Sequence, residues 1–568
     1  MVSSLLTKGK KILTDPQESI LSAAMVIMFL VVVSQIFGVG RQWVLLRLLG
    51  SDGYALYLAG FRLPDLVFEV FAYGAFSSAF IPVFTKYLKR DQKQAWEVAG
   101  RVINIVFVLF AICAFLFSLF APQFYGLVAA GFDSSQIETV AGLARVLFLA
   151  QGFFIISYVI TGVLESLRRF FIPALAPIFY NLGIILGSVL LYDQIGIFAP
   201  AVGAVIGALL HLTIQLPLAF KLGFRFSHGF RPNQGVREIG KLAAPRLVEL
   251  LFLQILKTAE LFFSSLISLA SYTFLNLANS LQVVPVTLFG VSLAKAAMVS
   301  LSHEDDPEKF KRIFVKTLNQ MMFFIIPAAT FMIVLRVPIV RLVFGTSQSL
   351  DWNATVQTGL VLTAFALAIP LQTAVALLSR AFYALEDTKT PVTLSIIDVV
   401  LTLILQGIFV LVMGLPIWSI AAANSAAMLL QTILLSFFLS KRLNAKGFPA
   451  KSILKTLAAS LVSGSLMFVL LKLFDRSVWI KRLSFIGEAQ NVFNNLNFES
   501  FVLDTRYTIN LFALTVVVSL IGGLVYLGIL YLLKSEELNH LILVIKSKTL
   551  SKPPKDGEIV TSTTLDSD

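Results

Sequence analysis

The stretch SQIFGVGRQWVLLRLLGSDGYALYLAGFRLPDLVFEVFAYGAFSSAFIPVF, residues 34–84, places charged side chains inside two long apolar runs that meet at a short GSDG turn. The charged positions within the runs are Arg41, Arg47, Arg62, Asp65 and Glu69. An ionised group at the centre of a membrane-spanning helix costs about 2.5–3.5 kcal/mol, so such groups usually face a protein interior or a water-filled cavity.

Each of these runs gathers its polar residues on one face when it is drawn as a helix with about 3.6 residues per turn. The first face is formed by Gln35, Gly38, Arg41 and Gln42, and the second by Arg62, Asp65 and Glu69. Two helices that each turn a polar face inward predict a polar chamber inside a membrane protein.

The composition is also that of a membrane protein, since 57% of the 568 residues are hydrophobic and only 14% are charged. A soluble protein of this length would carry about 25% charged residues. Fourteen apolar runs, each long enough to cross a bilayer, follow one another between positions 20 and 534. The sequence therefore predicts an all-α polytopic membrane protein with fourteen transmembrane helices.

The net charge of +13 is distributed as a topology signal. Alternate connections between the apolar runs are rich in Lys and Arg, whereas the intervening ones lack them, apart from the last, at about 475–505. The positive-inside rule then places the segment 1–19, the linker 224–241 and the tail 535–568 in the cytoplasm, with the polar end of the tail disordered. Because the charge follows topology, we expect no nucleic-acid partner.

Glycines and prolines recur at an offset of 216 to 218 residues. The recurring pairs are Gly74 with Gly290, Pro122 with Pro338, and Pro173 with Pro391. We therefore predict two six-helix lobes, 20–223 and 242–442, related by a pseudo-twofold axis along the membrane normal, with two further helices in 452–534. In transporters built from parallel repeats, the substrate site lies between the two lobes.

Further ionisable residues lie inside apolar runs of the second lobe. Helix 7 carries Glu249, Lys257 and Glu260 on one face, together with Arg246. Two interpretations remain open for this face, namely charges that pair with one another at a lobe interface and charges that line a cavity. Lys295 in helix 8 and Asp398 in helix 11 are lone intramembrane charges and hence functional candidates.

The motifs of several enzyme classes are absent. The chain contains no GxxxxGK[ST], HExxH or CxxC motif, and it has one cysteine, Cys113, and four histidines. We therefore expect neither an enzyme nor a bound cofactor, and no metal site built from His or Cys.

The stretch RAFYALEDTKTPV, residues 380–392, resembles the MurJ/MviN family of lipid II flippases, which belongs to the multidrug/oligosaccharidyl-lipid/polysaccharide exporter superfamily. Two other stretches, 61–84 and 161–187, are similar to the same family. The resemblance implies a fourteen-helix, two-lobed protein of the bacterial cytoplasmic membrane with a central cationic cavity. It also implies a groove for the lipid tail beside the last two helices, lipid II as substrate, membrane lipids as surroundings and cell-wall synthesis proteins as partners.

Arg41 matches a cavity arginine of this family, but several neighbouring positions depart from the family pattern. Gln35 and Gln42 stand where the family has an arginine and an acid, and Phe68 and Glu69 stand where basic residues are usual. Some members bind a sodium ion between helices 7, 11 and 12. The corresponding polar positions in helix 11 are Thr402 and Gln406, with Asp398 one turn earlier.

The leading hypothesis from the sequence is a lipid II flippase that moves the head group by alternating access. Arg41 is the expected main ligand of the diphosphate, because the guanidinium fork binds phosphate oxygens in pairs. The other expected substrate-binding residues are Arg62, Gln35, Gln42, Arg47, Lys257 and Lys295. The acids expected to orient these groups or to respond to cations are Asp65, Glu69, Glu249, Glu260 and Asp398.

Three questions about function stay open at this point. The chain encodes no ATPase motif, so a gradient across the membrane must drive transport. The residues present do not decide whether transport is coupled to Na⁺ or to H⁺. The first alternative function is a flippase for another polyprenyl-linked glycan or a cation-coupled multidrug exporter. The second is a scaffold for cell-wall synthesis that does not transport.

Overall fold

The computed structural model describes residues 20–75, 79–226, 229–345, 350–444, 451–475, 503, 505 and 507–550. For residues 20–27, 72–75, 244–249 and 544–550 within these ranges, the structure describes the backbone alone. The regular structure of the described residues is helical, and the one β feature among them is an isolated parallel bridge between Asp475 and Leu503. The predicted all-α class is confirmed.

The helices are numbered here in chain order. They are α1 (Ile20–Ala75), α2 (Ile81–Leu88), α3 (Gln92–Leu119), α4 (Ala121–Val128), α5 (Ser134–Ser166), α6 (Phe171–Ile195), α7 (Ala199–Thr213), α8 (Leu216–Lys221), α9 (Gln234–Ile267), α10 (Ser271–Pro285), α11 (Ser292–Ser302), α12 (Pro307–Val334), α13 (Arg336–Phe344), α14 (Trp352–Ala384), α15 (Lys389–Gly407), α16 (Trp418–Arg442), α17 (Lys451–Phe474), α18 (Thr508–Leu532) and α19 (Glu536–Leu550). Short π-helical turns follow α10 and α15, at Val286–Val291 and Ile408–Val412.

Helix α1 contains two of the predicted apolar runs, separated by a sharp break at Gly50. This residue has φ 65° and ψ −177°, a conformation that glycine adopts without the steric cost of a Cβ atom. Residues 51–53 of the predicted turn are already helical, so the break in α1 is confined to a single non-helical residue. We call residues 20–49 the first arm of α1 and residues 51–75 its second arm.

Twelve segments of the described chain are long and apolar enough to cross a membrane. Two of them, Met28–Phe71 with 44 residues and Phe171–Lys221 with 51 residues, are each long enough for two passes. The second of these includes the break between α6 and α7, where Gly196 has φ 55°. The exact number of fourteen passes stays a prediction, because the count depends on dividing these two segments.

Helices α6 and α7 approach each other through two pairs of glycines. A Cβ atom on Gly183 would lie 2.3 Å from the Cα atom of Gly207, and one on Gly187 would lie 2.4 Å from the Cα atom of Gly203. Small residues spaced by four positions on both helices allow this backbone contact. Gly203 and Gly207 therefore serve the packing of these two helices.

The predicted second lobe has a hydrophobic core of its own, formed mainly by α11, α12, α14 and α16. Its fully buried members include Phe314 on α12, Leu377 on α14 and Leu435 on α16. Helices α17 and α18 pack against each other, as the hydrogen bond from Ser463 Oγ to the Gly522 carbonyl (2.6 Å) shows. They attach to α12, where Tyr526 donates to the Phe323 carbonyl at 2.6 Å.

The two predicted lobes meet closely at the end of the bundle that contains the Gly50 break. Thr273 Oγ1 at the start of α10 donates to the Ser51 carbonyl at 2.7 Å. The amide of Gly131 donates to Ser265 Oγ at 3.2 Å, and a Cβ atom on Gly131 would lie 2.0 Å from the Ser265 carbonyl oxygen. The lobes are therefore in direct backbone contact at this end.

The basic linker lies against the first lobe. Arg101 on α3 donates to the Arg231 carbonyl at 2.9 Å, and Lys86 on α2 forms a 3.0 Å ion pair with Glu238. The lobe boundaries and the pseudo-twofold axis stay predictions. The segment 1–19, most of the loop 475–505 and the end of the tail lie outside the described residues, although α19 shows that the tail begins with a helix.

The stretch that carries the strongest family resemblance forms the sharp turn between α14 and α15. Asp387 accepts hydrogen bonds from the amides of Lys389 (3.1 Å) and Thr390 (3.0 Å), and Arg442 of α16 lies 3.4 Å from its carboxylate. The hydrogen bond from the Thr390 amide is the main reason that the pKa of Asp387 is lowered. Glu386 beside it has φ 58°. The motif thus ties three helices together at one end of the second lobe.

Candidate functional site

A polar cavity of about 540 Å³ lies between the two lobes. Both arms of α1, together with α5, α6 and α7, form its wall on the side of the first lobe, and α9 and α10 close it on the side of the second. Much of the wall is aromatic, including Tyr54, Tyr57 and Phe61 of the second arm and Tyr180 of α6. The predicted chamber is therefore present, and it is lined by both lobes.

Arg, Lys, Asp and Glu side chains line this cavity at six positions, three basic and three acidic. The basic members are Arg41, Arg62 and Lys257, and the acidic members are Asp65, Glu69 and Glu260. The formal charges of these six residues therefore cancel. The expectation of a cationic cavity is therefore wrong, and the formal charge of the lining is balanced. Asp65 and Glu69 of the second arm line the cavity, whereas Arg47 and Lys295 do not reach it.

A chain of polar contacts crosses the cavity from one lobe to the other. Arg62 donates to the side-chain oxygen of Gln254, and the amide nitrogen of Gln254 donates to Glu69. Lys257 Nζ lies 2.9 Å and 3.0 Å from the two carboxylate oxygens of Glu69. Arg62 and Glu69 belong to α1, whereas Gln254 and Lys257 belong to α9, so this polar chain joins the lobes. Lys257 therefore pairs across the lobe interface with Glu69 and not with Glu260 of its own helix, and it also lines the cavity.

Two guanidinium groups have donors that the protein does not use. Arg41 lies with its Cζ atom 5.9 Å from the ring centre of Tyr180, and it forms no ion pair with any described residue. Arg62 is buried, and its Nε atom has no hydrogen-bond partner among the described residues. Both groups can donate to an anion that enters the cavity.

The acids at the cavity differ in how far the protein neutralises them. Glu69 is paired with Lys257. Asp65 accepts from Gln151 Nε2 at 2.6 Å but forms no ion pair in the described structure. Glu260 likewise has no ion pair there. The cavity therefore offers unpaired acceptors as well as unpaired donors.

Four of the predicted substrate-binding residues are not brought to this cavity. They are Gln35, Gln42, Arg47 and Lys295. Arg47 is exposed and lies over the Trp43 ring at 5.5 Å, because six residues turn a helix by about 240° relative to Arg41. Lys295 is exposed on α11, beyond the π-helical turn.

Gln35 lines a second cavity of about 330 Å³, together with Ser34, Glu165 and Pro173. It lies about 9 Å along the helix axis from Arg41, since a helix rises about 1.5 Å per residue. The first arm therefore divides its polar face between two cavities. The side chains of Arg246 and Glu249 lie outside the described residues, so their predicted role stays a prediction.

The polar residues predicted for a cation form one row on α15. Asp398, Thr402 and Gln406 are spaced by four residues, and Thr402 and Gln406 are buried. Asp398 Oδ1, Thr402 Oγ1 and both side-chain atoms of Gln406 have no hydrogen-bond partner in the described part of the chain. These oxygen atoms are of the type that hard cations bind. No group of three or more His, Cys, Asp or Glu comes together in that part of the chain.

The sequence interpretation missed the histidine and most of the aromatic residues of the cavity. His211 Nδ1 lies 2.7 Å from Ser157 Oγ, and its ring stacks on Tyr158 with centres 6.3 Å apart. A signal was available for the aromatic wall, because Tyr54, Tyr57 and Phe61 share the helical face of Asp65 at spacings of three and four residues. No comparable spacing marks His211.

The fold and the site together define a class of protein. A polytopic membrane protein with a polar cavity that is lined from both predicted lobes has the architecture of a membrane transporter. A family model described as "Lipid II flippase MurJ" matches residues 46–486, and the chain belongs to this family. Members of the family are transporters rather than enzymes.

Curated relatives are similar over most of their length. A "Probable lipid II flippase MurJ" of Vibrio cholerae is 25% identical over 428 residues, which cover 72% of this chain and 81% of the relative. The protein of the same description from Thermotoga maritima is 25% identical over 458 residues, covering 80% and 91%. A "Lipid II flippase MurJ" of Burkholderia cenocepacia is 24% identical over 396 residues, covering 67% and 76%.

Solved structures support the fold. The chain is similar to "Lipid II flippase MurJ, inward closed conformation" with a TM-score of 0.72 and 23% identity, covering 89% of this chain and 98% of that one. It is also similar to an inward-facing multidrug resistance MATE transporter of the MOP superfamily, with a TM-score of 0.58 and 14% identity, covering 72% and 94%.

Proposed function

We propose that this chain flips lipid II across the membrane, with its head group carried in the cavity between the lobes. Lipid II is a polyprenol diphosphate that bears a sugar and peptide head group. The curated relatives are described as lipid II flippases or probable lipid II flippases. One observation of the structure carries the proposal, namely that the inter-lobe cavity contains arginine donors without a protein partner. Arg41 is the main diphosphate ligand, and Arg62 assists it through Nε.

The chemistry of a diphosphate explains why such a cavity is needed. A charge in hydrocarbon loses its hydration, so a carrier must replace the water with fixed donors. Arginine suits this task because it stays protonated and its planar fork donates to two phosphate oxygens at once. The apolar tail needs no such replacement and remains in the lipid while the head group crosses.

Transport then requires the two lobes to rock against each other. The lobes touch at the end that contains Ser51 and Thr273, and farther along the second arm they are joined by Glu69 and Lys257. Opening the cavity between α1 and α9 separates these last two side chains. The ion pair therefore acts as a latch between conformations, and it is partly exposed, so it contributes about 1 kcal/mol or less.

Neutralising the latch increases access to the cavity. In Lys257→Gln, we expect a cysteine introduced at Asn279, on a Cys113→Ala background, to react several-fold faster with a membrane-impermeant thiol reagent. The reagent is added to the cytoplasmic face in inverted membrane vesicles, because the latch lies at the end of the cavity opposite Ser51, and about 1 kcal/mol corresponds to roughly fivefold. Lys295→Gln is the matched control, because Lys295 is an exposed lysine of the same lobe that lines neither cavity. Equal labelling of Lys257→Gln and the control contradicts the latch.

We further propose that the row on α15 binds the coupling cation, either Na⁺ or H⁺. Asp398 supplies the one negative charge of the row, and Thr402 and Gln406 supply neutral oxygens. A cation bound between Asp398 and Thr402, one helical turn apart, would satisfy the buried oxygen atoms of these two residues. The energy of a cation gradient would then favour one arrangement of the second lobe.

The orientation in the membrane belongs to the same proposal. We infer from the basic connections that both termini lie in the cytoplasm. The cavity end that contains Ser51 is then the outer end, and the Asp387 turn lies at the inner face. The tail and the linker 224–241 are on the same side as the enzymes that supply lipid-linked precursors.

The test is exposure of lipid II on the outer leaflet of cells that are depleted of their own flippase and express this chain. We expect restored exposure and growth relative to cells with an empty vector. Failure to restore exposure, with the chain shown to be inserted, contradicts the proposal when a deletion in the native strain also leaves lipid II exposure unchanged.

The cavity lacks the cationic lining that the family resemblance implies, and this departure favours one alternative, a flippase for another polyprenyl-linked glycan. Such a lipid has the same diphosphate but a different head group. The native deletion strain separates the two functions, because loss of surface glycan with normal lipid II exposure assigns the chain to the other glycan. Unchanged transport together with defective cell-wall synthesis assigns it to the scaffold alternative.

A further inference from the structure

The acidic residues of the cavity are not explained by a ligand that carries only a diphosphate. Arg41 and Arg62 already provide donors for an anion, and a site for an anion alone gains nothing from unpaired carboxylates. Yet Asp65 lines the same cavity and forms no ion pair with the described residues. An unpaired carboxylate in such a position repels the diphosphate unless a cation of the ligand accompanies it.

Gln151 on α5 supplies the second observation. Its Nε2 atom donates to Asp65 Oδ1 at 2.6 Å, which fixes the orientation of the amide. The side chain lines the cavity but is only 4% exposed. Its Oε1 atom is buried and has no hydrogen-bond partner in the described structure. A buried acceptor without a donor is unfavourable, so the site is complete only when a donor enters it.

We propose that Asp65 and Gln151 form a site for a protonated primary amine of the ligand, so that the cavity takes a zwitterionic head group. The inference rests on the proposed function and names the part of the head group that the protein selects. An ammonium group has three donors and no acceptor, which suits the free carboxylate oxygen of Asp65 and the free amide oxygen of Gln151. Arg41 binds the diphosphate of the same molecule.

A peptide head group that contains a diamino acid carries such an amine, and its pKa near that of lysine, about 10, keeps it charged at neutral pH. Bringing this amine into the cavity with the diphosphate keeps the total charge of the occupied site small. Selectivity follows, because a head group whose amine is blocked leaves Asp65 unpaired and Gln151 Oε1 without a donor.

The test compares two forms of lipid II that differ in one group, the free amine of the peptide and its acetylated derivative. The full-length chain is reconstituted into liposomes, and the translocation rates of both forms are measured. We expect the unmodified chain to prefer the free amine by about tenfold, the size of a lost hydrogen bond to a charged group. In Asp65→Asn, which keeps an acceptor for Gln151, the preference falls to within about twofold.

Two further variants locate the effect. Asp193→Asn removes an exposed acid of α6 that lines neither cavity, and it should keep the preference. The inference is overturned if the unmodified chain moves both forms equally, if Asp65→Asn keeps the preference, or if Glu260→Gln removes it instead. Translocation of neither form by the unmodified chain overturns the proposed function, and this inference with it.

Discussion

We expect Arg41→Ala to abolish lipid II flipping by this chain, with a loss of at least about 100-fold, the effect of losing two hydrogen bonds to a charged group. The physical reason is that Arg41 has no ion pair with a described residue, so its donors are free for the diphosphate. Outer-leaflet exposure of lipid II, measured at equal amounts of inserted protein, checks this result. Arg41→Lys keeps the charge but loses the planar fork, and we expect an intermediate rate.

Arg47→Ala is the matched control for this experiment. Arg47 belongs to the same arm of α1, but it is exposed, lies over Trp43 and lines neither cavity. We expect its loss to change flipping by less than about twofold, as for surface substitutions in general. Normal flipping by Arg41→Ala would remove Arg41 from the mechanism, and an equal defect in both variants would indicate a general effect of positive charge in α1.

Gly183→Ala destabilises the protein by about 3 kcal/mol, the upper end of the usual cost of overpacking. The added methyl group would lie 2.3 Å from the Cα atom and 2.5 Å from the amide nitrogen of Gly207. Backbone atoms cannot rotate away as a side chain can, so α6 and α7 must separate. Thermal unfolding in detergent, followed by the loss of the monodisperse species in size-exclusion chromatography, measures the effect.

Gly528→Ala provides the comparison for the glycine variant. Gly528 is an exposed residue of α18, and a Cβ atom there has nothing within 4 Å. Alanine in an open helical position is neutral or stabilises by up to about 1 kcal/mol. A Gly183→Ala protein that unfolds at the same temperature as the Gly528→Ala protein would show that the close contact of α6 and α7 does not limit stability.

Much of the fold was predictable because a bilayer imposes strong rules on sequence. Long apolar runs must be helical there, since an unpaired backbone amide in lipid is very costly. That rule gave the all-α class, and the GSDG sequence correctly marked the break in α1. The sequence did not show that this break uses Gly50 alone, because helix propensity does not distinguish a loop of four residues from a break of one.

The site was predictable where charged residues share a helical face and not beyond it. Arg62, Asp65 and Glu69 were expected together from their spacing, and all three line the cavity. The sequence pattern could not give the partners of these residues, because Gln254 and Lys257 are almost 200 positions away. Lone charges were the weakest predictions, as Lys295 shows, since one residue defines no face.

The equal number of acidic and basic residues in the cavity also has an electrical consequence. When the carrier returns empty, the formal charges of these six residues cancel, so together they carry no net charge across the membrane. A membrane voltage, worth about 2.3 kcal/mol per elementary charge at 100 mV, therefore acts mainly on the step in which an anionic ligand crosses. With the cell interior negative, that voltage pushes the loaded carrier outward and leaves the return of the empty carrier to another source of energy.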